Sequence, residues 1–144
     1  MSFKYAEKIV DLGLEDCPPS TYKSSTFLAF RYIFEDLEHA NNFLPIGIIA
    51  PARLNEFKNH VQKCQAFGLS FFADKEMARA NYHNLMKKTA GKFSKIVGDH
   101  LASLTLNPND GLHSNLFQNL NTHFTFHELN EVDLSKEVIK IESL

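Results

Sequence analysis

Arg31 is the single charge inside the apolar run of residues 26–34, and a guanidinium placed there has to find a partner. Left buried and unpaired it would cost on the order of several kcal/mol, so it either meets an anionic ligand or pairs with a carboxylate such as Glu35 or Asp36. Ser70 and Phe71 sit in a second short apolar run, and Tyr82 follows one helical stretch later. A strand end, a sharp cap and a helix carrying an aromatic ring hold a small flat ligand well, and they build an ordinary core equally well. His123, Thr125 and His127 alternate with Phe124, Phe126 and Glu128 further along the chain. Two imidazoles on one strand face serve either as a proton-transfer pair or as solvated surface groups. His60 and Cys64 stand one helical turn apart, but a zinc site takes three or four ligands and no second pair lies nearby in sequence.

These side chains depend on a few elements to position them. Residues 69–72 are aromatic-rich behind a glycine and read as a buried strand. Asp74 then offers a carboxylate to the free N–H groups of a helix start, and Met77, Ala78, Asn81, Tyr82, Leu85 and Met86 recur at helical spacing. Residues 3–14 read as a short N-terminal helix or arm, stopped by the two prolines after Cys17. Residues 26–34 read as a strand with Phe27, Ala29, Arg31 and Ile33 on one face. Residues 35–53, punctuated by Asn41, Asn42, Pro45, Gly47 and Pro51, read as a long loop of the kind that covers ligands. Residues 54–67 form a helix or an irregular covering segment. Residues 100–106 and 122–129 alternate as half-buried strands, separated by a dense turn at 107–111 and a polar connection at 114–121. The tail through Val132, Leu134, Val138 and Ile141 is a last strand, or a short helix and a strand.

A chain of 144 residues is the size of one domain. A formal net charge of −2 and the lack of any long Lys or Arg run argue against a nucleic-acid partner. Cys17 and Cys64 have no paired spacing, which gives a disulfide framework no support and fits a reducing compartment. No apolar run reaches the roughly 18 residues of a membrane span, and charges interrupt the N-terminus where a signal peptide would be apolar. A cytoplasmic protein with no membrane partner is expected.

Phe72, Ala73 and Asp74, followed after five residues by Ala80, Asn81 and Tyr82, resemble the strand-to-helix element of the poly(ADP-ribose) polymerase type of ADP-ribosyltransferase. In that family a tyrosine beyond the strand stacks on nicotinamide, which implies that role for Tyr82. The later elements follow in the family's order, and the similarity covers residues 68–141, with 26–34 as the first ligand-facing strand. The family's first-strand His-Gly pair is absent, Phe71 stands where a hydroxyl-bearing tyrosine would be, and His123 aligns with the catalytic glutamate. The branch of the superfamily typified by bacterial toxins resembles the chain differently, through Arg31 on the first strand, Ser70 on the second and Glu128 on a late strand. The two alignments are alternatives.

The resemblance implies an α+β single domain over residues 1–144, ADP-ribosyltransferase-like, with a mostly antiparallel split sheet and flanking helices. Residues 1–25 would be an arm and 26–144 the core. It further implies NAD or a related nucleotide as cofactor, bound by Arg31, Ser70, Phe71 and Tyr82, with His123 and Glu128 as the catalytic candidates. Cleavage of the nicotinamide–ribose bond passes through an oxocarbenium-like state that a carboxylate stabilises. A neutral His123 supplies no such charge, so transfer of ADP-ribose or hydrolysis of NAD needs another carboxylate. The alternative from another class is a catalytically inactive interaction module, an immunity or regulatory protein whose cleft binds a protein target.

Overall fold

The computed structural model describes residues 2–144. Its strands are β1 (Phe27–Ile33), β2 (Leu69–Phe72), β3 (His100–Leu106), β4 (Gly111–His113), β5 (His123–Glu128) and β6 (Val138–Ser143). They form one antiparallel sheet in the order β4-β5-β2-β1-β3-β6. The helices are α1 (Ala6–Asp11), α2 (Ile46–Ile49), α3 (His60–Gln65), α4 (Lys75–Lys88) and α5 (Phe93–Val97). The α+β class expected from the sequence is therefore the observed one.

Alternation along the strands divides the core between two faces. Ala29 and Ile33 of β1 join Phe71, Leu104, Phe124 and Phe126 on one face. Phe30, Phe72 and Leu101 point to the other, where Ala78 of α4 covers them. That helix begins as its sequence requires: the Asp74 carboxylate accepts the N–H of Met77, and Lys87 and Lys88 sit in the last turn, where the helix dipole favours positive charge.

β1 runs beside β3 along its whole length, yet it meets β2 only at Phe30 opposite Phe72. Beyond that point the C-terminal half of β1 and the start of β2 diverge. The sheet is split there, and residues 35–65 fill the approach to the gap with helical turns rather than an open loop. These are two 3-10 turns, Ala40–Phe43 and Pro51–Glu56, with α2 between them and α3 after. The short β4 starts at the end of the turn expected at 107–111 and stops before the polar connection expected at 114–121, and the tail is a 3-10 turn, Leu134–Glu137, followed by β6.

One expectation is overturned outright. Cys17 and Cys64 form a disulfide, with Cα atoms 5.7 Å apart across a sequence separation of 47. No local spacing announces the pair because the fold, not the motif, brings the N-terminal arm onto α3. Closing a loop of that length stabilises a domain by about 4 kcal/mol in the chain-entropy account.

Gly98, between α5 and β3, has φ +88, and a Cβ there would collide with the Ile33 carbonyl oxygen. Gly98→Ala should cost well over the roughly 1 kcal/mol at stake in an unstrained glycine exchange. Urea unfolding of the two proteins measures it.

Candidate functional site

The split in the sheet makes the site, and Arg31 spans it. Its Nε donates to the Asn42 carbonyl at 2.7 Å and one Nη to the Ser70 carbonyl at 2.8 Å. The guanidinium carbon lies 5.7 Å from the ring centroid of Phe71 and 5.9 Å from that of Phe43. The expected ion pair with Glu35 or Asp36 does not form. Glu35 is turned to the imidazole of His100 at 3.2 Å, and the Asp36 carboxylate accepts the N–H of Glu38. Burial lowers the Arg31 pKa to about 10, against the opposing pull of Glu128 and Tyr5, so the group stays charged at neutral pH. Two of its five N–H donors are spent on carbonyls, which leaves three without a partner among the described residues.

Asn42 fixes the far side. It is 2% exposed, its amide oxygen accepts the Phe34 N–H at 2.7 Å, and its amide nitrogen donates to the Asp36 carbonyl at 2.8 Å. A residue that reads in sequence as turn punctuation thus knots the loop onto the end of β1.

The cleft so formed has a volume of about 160 Å³. Arg31, Tyr32 and Ser70 line it from the strands, Asn41 and Gln65 add amides, and residues 44–49 and α5 supply an apolar rim. Arg31 is the only charged side chain in that lining, and no carboxylate joins it among the described residues.

Ser70 and Arg31 meet here, and Phe71, fully buried, lies beneath the guanidinium. Tyr82 does not reach the cleft. It is 3% exposed, its hydroxyl donates to the Gly98 carbonyl at 3.0 Å, and its ring packs 5.2 Å from that of Tyr32. Tyr32, on the strand face opposite to the one singled out in sequence, is the aromatic that lines the cleft. His123 stands edge-on to Phe72 with ring centroids 5.5 Å apart, and burial, with Arg31 adding to it, lowers its pKa. Neither it nor Glu128 lines the cleft. Glu128 is 4% exposed at the other end of β5, where Lys4 donates to its Oε2 at 3.0 Å. Burial is the main cause of its raised pKa, and Oε1 has no hydrogen-bond partner.

His127 is not a solvated surface group. It is 2% exposed, its Nε2 lies 4.0 Å from the Cys64 sulfur, and the Tyr22 ring packs 5.9 Å away. Comparison of the chain with models of known families, with curated proteins and with solved structures gives no match.

Tyr82→Ala should therefore cost stability, about 3–5 kcal/mol as for other buried rings, with no effect on the cleft. Tyr82→Phe should lose only about 1 kcal/mol, by leaving the Gly98 carbonyl without its donor. Denaturant titrations of both variants check this. A second expectation concerns pH. Burial lowers the His127 pKa to about 4, so between the ordinary imidazole value and pH 4 the unfolded chain takes up a proton that the folded chain refuses. Stability should fall with falling pH by up to about 3 kcal/mol from this group alone. Glu128, whose raised pKa acts with the opposite sign, is common to wild type and His127→Gln, so the difference between their unfolding curves isolates the imidazole.

Proposed function

We propose that the chain is a nucleotide-binding protein of ADP-ribosyltransferase type that holds NAD or a related nucleotide at the split in its sheet and does not cleave it. One observation carries the reading: among the described residues Arg31, with three unspent donors, is the sole charge lining the cleft, and no carboxylate stands there to stabilise an oxocarbenium-like state. A guanidinium suits a phosphate. Ligand sites for whole drug-sized molecules run to about 300–1,000 Å³, so this cleft takes one end of a dinucleotide and the rest lies across the rim. Glu128 holds the N-terminal arm and His123 packs on Phe72, which is why neither is given a catalytic role.

The exposed rim supports a second reading, an interaction module in which a partner protein inserts an acidic side chain onto Arg31. Ile49 and Ile96 border the cleft at 39% and 56% exposure, and apolar side chains around a buried charge suit a protein surface. The Cys17–Cys64 disulfide removes the ground on which the sequence favoured a reducing compartment.

Calorimetric titration with NAD decides between the readings. Wild type should bind, and Gln65→Glu, which sets a carboxylate at the cleft wall, should weaken binding about tenfold, a change of roughly 1.4 kcal/mol. Nicotinamide release should be absent from wild type and from His123→Glu, whose new carboxylate would lie against Phe72. Robust turnover by the wild type would overturn the non-cleaving assignment. Absence of NAD binding would leave the partner-protein reading.

A further inference from the structure

The structure carries a second cluster, at the opposite edge of β2 from Arg31, that the nucleotide reading does not use. The sulfurs of Cys17 and Cys64 and a ring nitrogen of His127 lie within 4.8 Å of one another. Cys64 and His127 are buried and Cys17 is partly exposed, which leaves a path from solvent. The only hydrogen-bond contact of the His127 ring among the described residues is the long one from Nε2 to the Cys64 sulfur, at 4.0 Å. Buried polar groups almost always have better partners than this, and an exception needs a reason. The neighbouring backbone keeps the space beside that nitrogen clear. Gly68 passes against it, and a Cβ at that position would stand 3.1 Å from Nε2 and collide with the Thr125 methyl.

We propose that Cys17, Cys64 and His127 form a zinc site in the reduced protein, so that the disulfide and a bound Zn²⁺ are alternative states of one position. Two thiolates and an imidazole are a borderline-soft set that suits zinc, and three protein ligands with a fourth place for water is a known zinc arrangement. The geometry is near what the ion needs. With Zn–S near 2.3 Å and Zn–N near 2.05 Å, tetrahedral ligands sit roughly 3.6 Å apart for sulfur to nitrogen and roughly 3.8 Å for sulfur to sulfur. The 4.0 Å between Cys64 and His127 has to close by a few tenths of an ångström, the Cys17–His127 separation, within 4.8 Å, has to close to the same roughly 3.6 Å, and the two sulfurs have to part once their bond is broken. The chemistry balances with a thiol reductant. Two molecules of thiol give two electrons and two protons to the disulfide, becoming a disulfide themselves and leaving two protein thiols. Zn²⁺ then displaces the two thiol protons and binds both thiolates, whose charges cancel its own.

The test uses the full chain, reduced with a phosphine that does not compete for the metal, and zinc chloride or cobalt chloride as the probe. Reduced wild type should take up one zinc per chain, release protons as it does so, and gain thermal stability. Cobalt should give the intense visible bands of a tetrahedral thiolate site. The oxidised protein should take up none. His127→Gln, reduced, should bind more weakly by more than the roughly 10–100-fold that loss of a mere supporting group costs. If reduction unfolds the chain, zinc should restore the fold. Uptake that is equal in the oxidised and reduced proteins would overturn the proposal, as would a His127→Gln affinity equal to wild type. So would reduced protein that neither binds zinc nor refolds with it.

Discussion

The Arg31 guanidinium bridging two diverging strands is the interaction on which the site depends. Once β1 and β2 part beyond Phe30 and Phe72, the carbonyls on their facing edges lose their ladder partners, and buried backbone acceptors left unpaired are costly. One planar side chain with donors in a fixed fork serves two carbonyls at once, that of Ser70 on β2 and that of Asn42 in the 3-10 turn Ala40–Phe43. Lysine, with a single nitrogen on a flexible stem, has no equivalent reach. The gap is thereby held open rather than zipped shut, and the cation that holds it also lines the cavity it creates.

The carboxylates of the domain are spent elsewhere. Glu128 is buried at the end of β5 and accepts from Lys4, while the Lys4 backbone N–H donates to the Glu128 carbonyl at 3.0 Å, so the N-terminal arm is tied down by side chain and main chain together. Glu142 faces Lys75 at 2.6 Å and Lys140 at 3.2 Å on the outer edge of the sheet. Removing Lys4 would strand a buried charge, which explains why an arm outside the sheet is kept so close to it. The Glu128 carboxylate, buried beside Lys4, is thus an anchor for the N-terminal arm.

Much of this architecture was legible because local signals agreed. Alternation in residues 26–34, 100–106 and 122–129, and the aromatic-rich run behind a glycine at 69–72, located four of the six strands, the tail held a fifth, and Asp74 with the helical spacing behind it located α4. What stayed hidden was set by the third dimension. Asn42 looked like a turn residue because its four polar contacts lie in backbone that only folding brings near. Tyr82 reads as a ligand aromatic because it stands one helical stretch beyond a strand, but α4 turns it onto the sheet, where its ring packs against Tyr32. The disulfide, at a separation of 47 residues, has no sequence signature, and the burial of His127 followed from the arm and α3 closing over a strand face that would otherwise meet water.

The electrostatics of the cleft give a physical reason for an anion to enter it. Arg31 has been moved out of water far enough to lower its pKa to about 10, which measures solvation that its two carbonyl partners and two ring faces do not fully return. A charge in that condition interacts more strongly with an opposite charge than it would at an open surface, because the surrounding medium screens less. An anion arriving at the unspent donors would restore part of the lost solvation, and among the described residues no carboxylate lines the cleft to take that place. Glu128 acts on the guanidinium only through space, and Lys4 bonds one of its two oxygens. The cleft is therefore electrostatically asymmetric by construction, with a fixed cation at its floor and its complement left to come from outside.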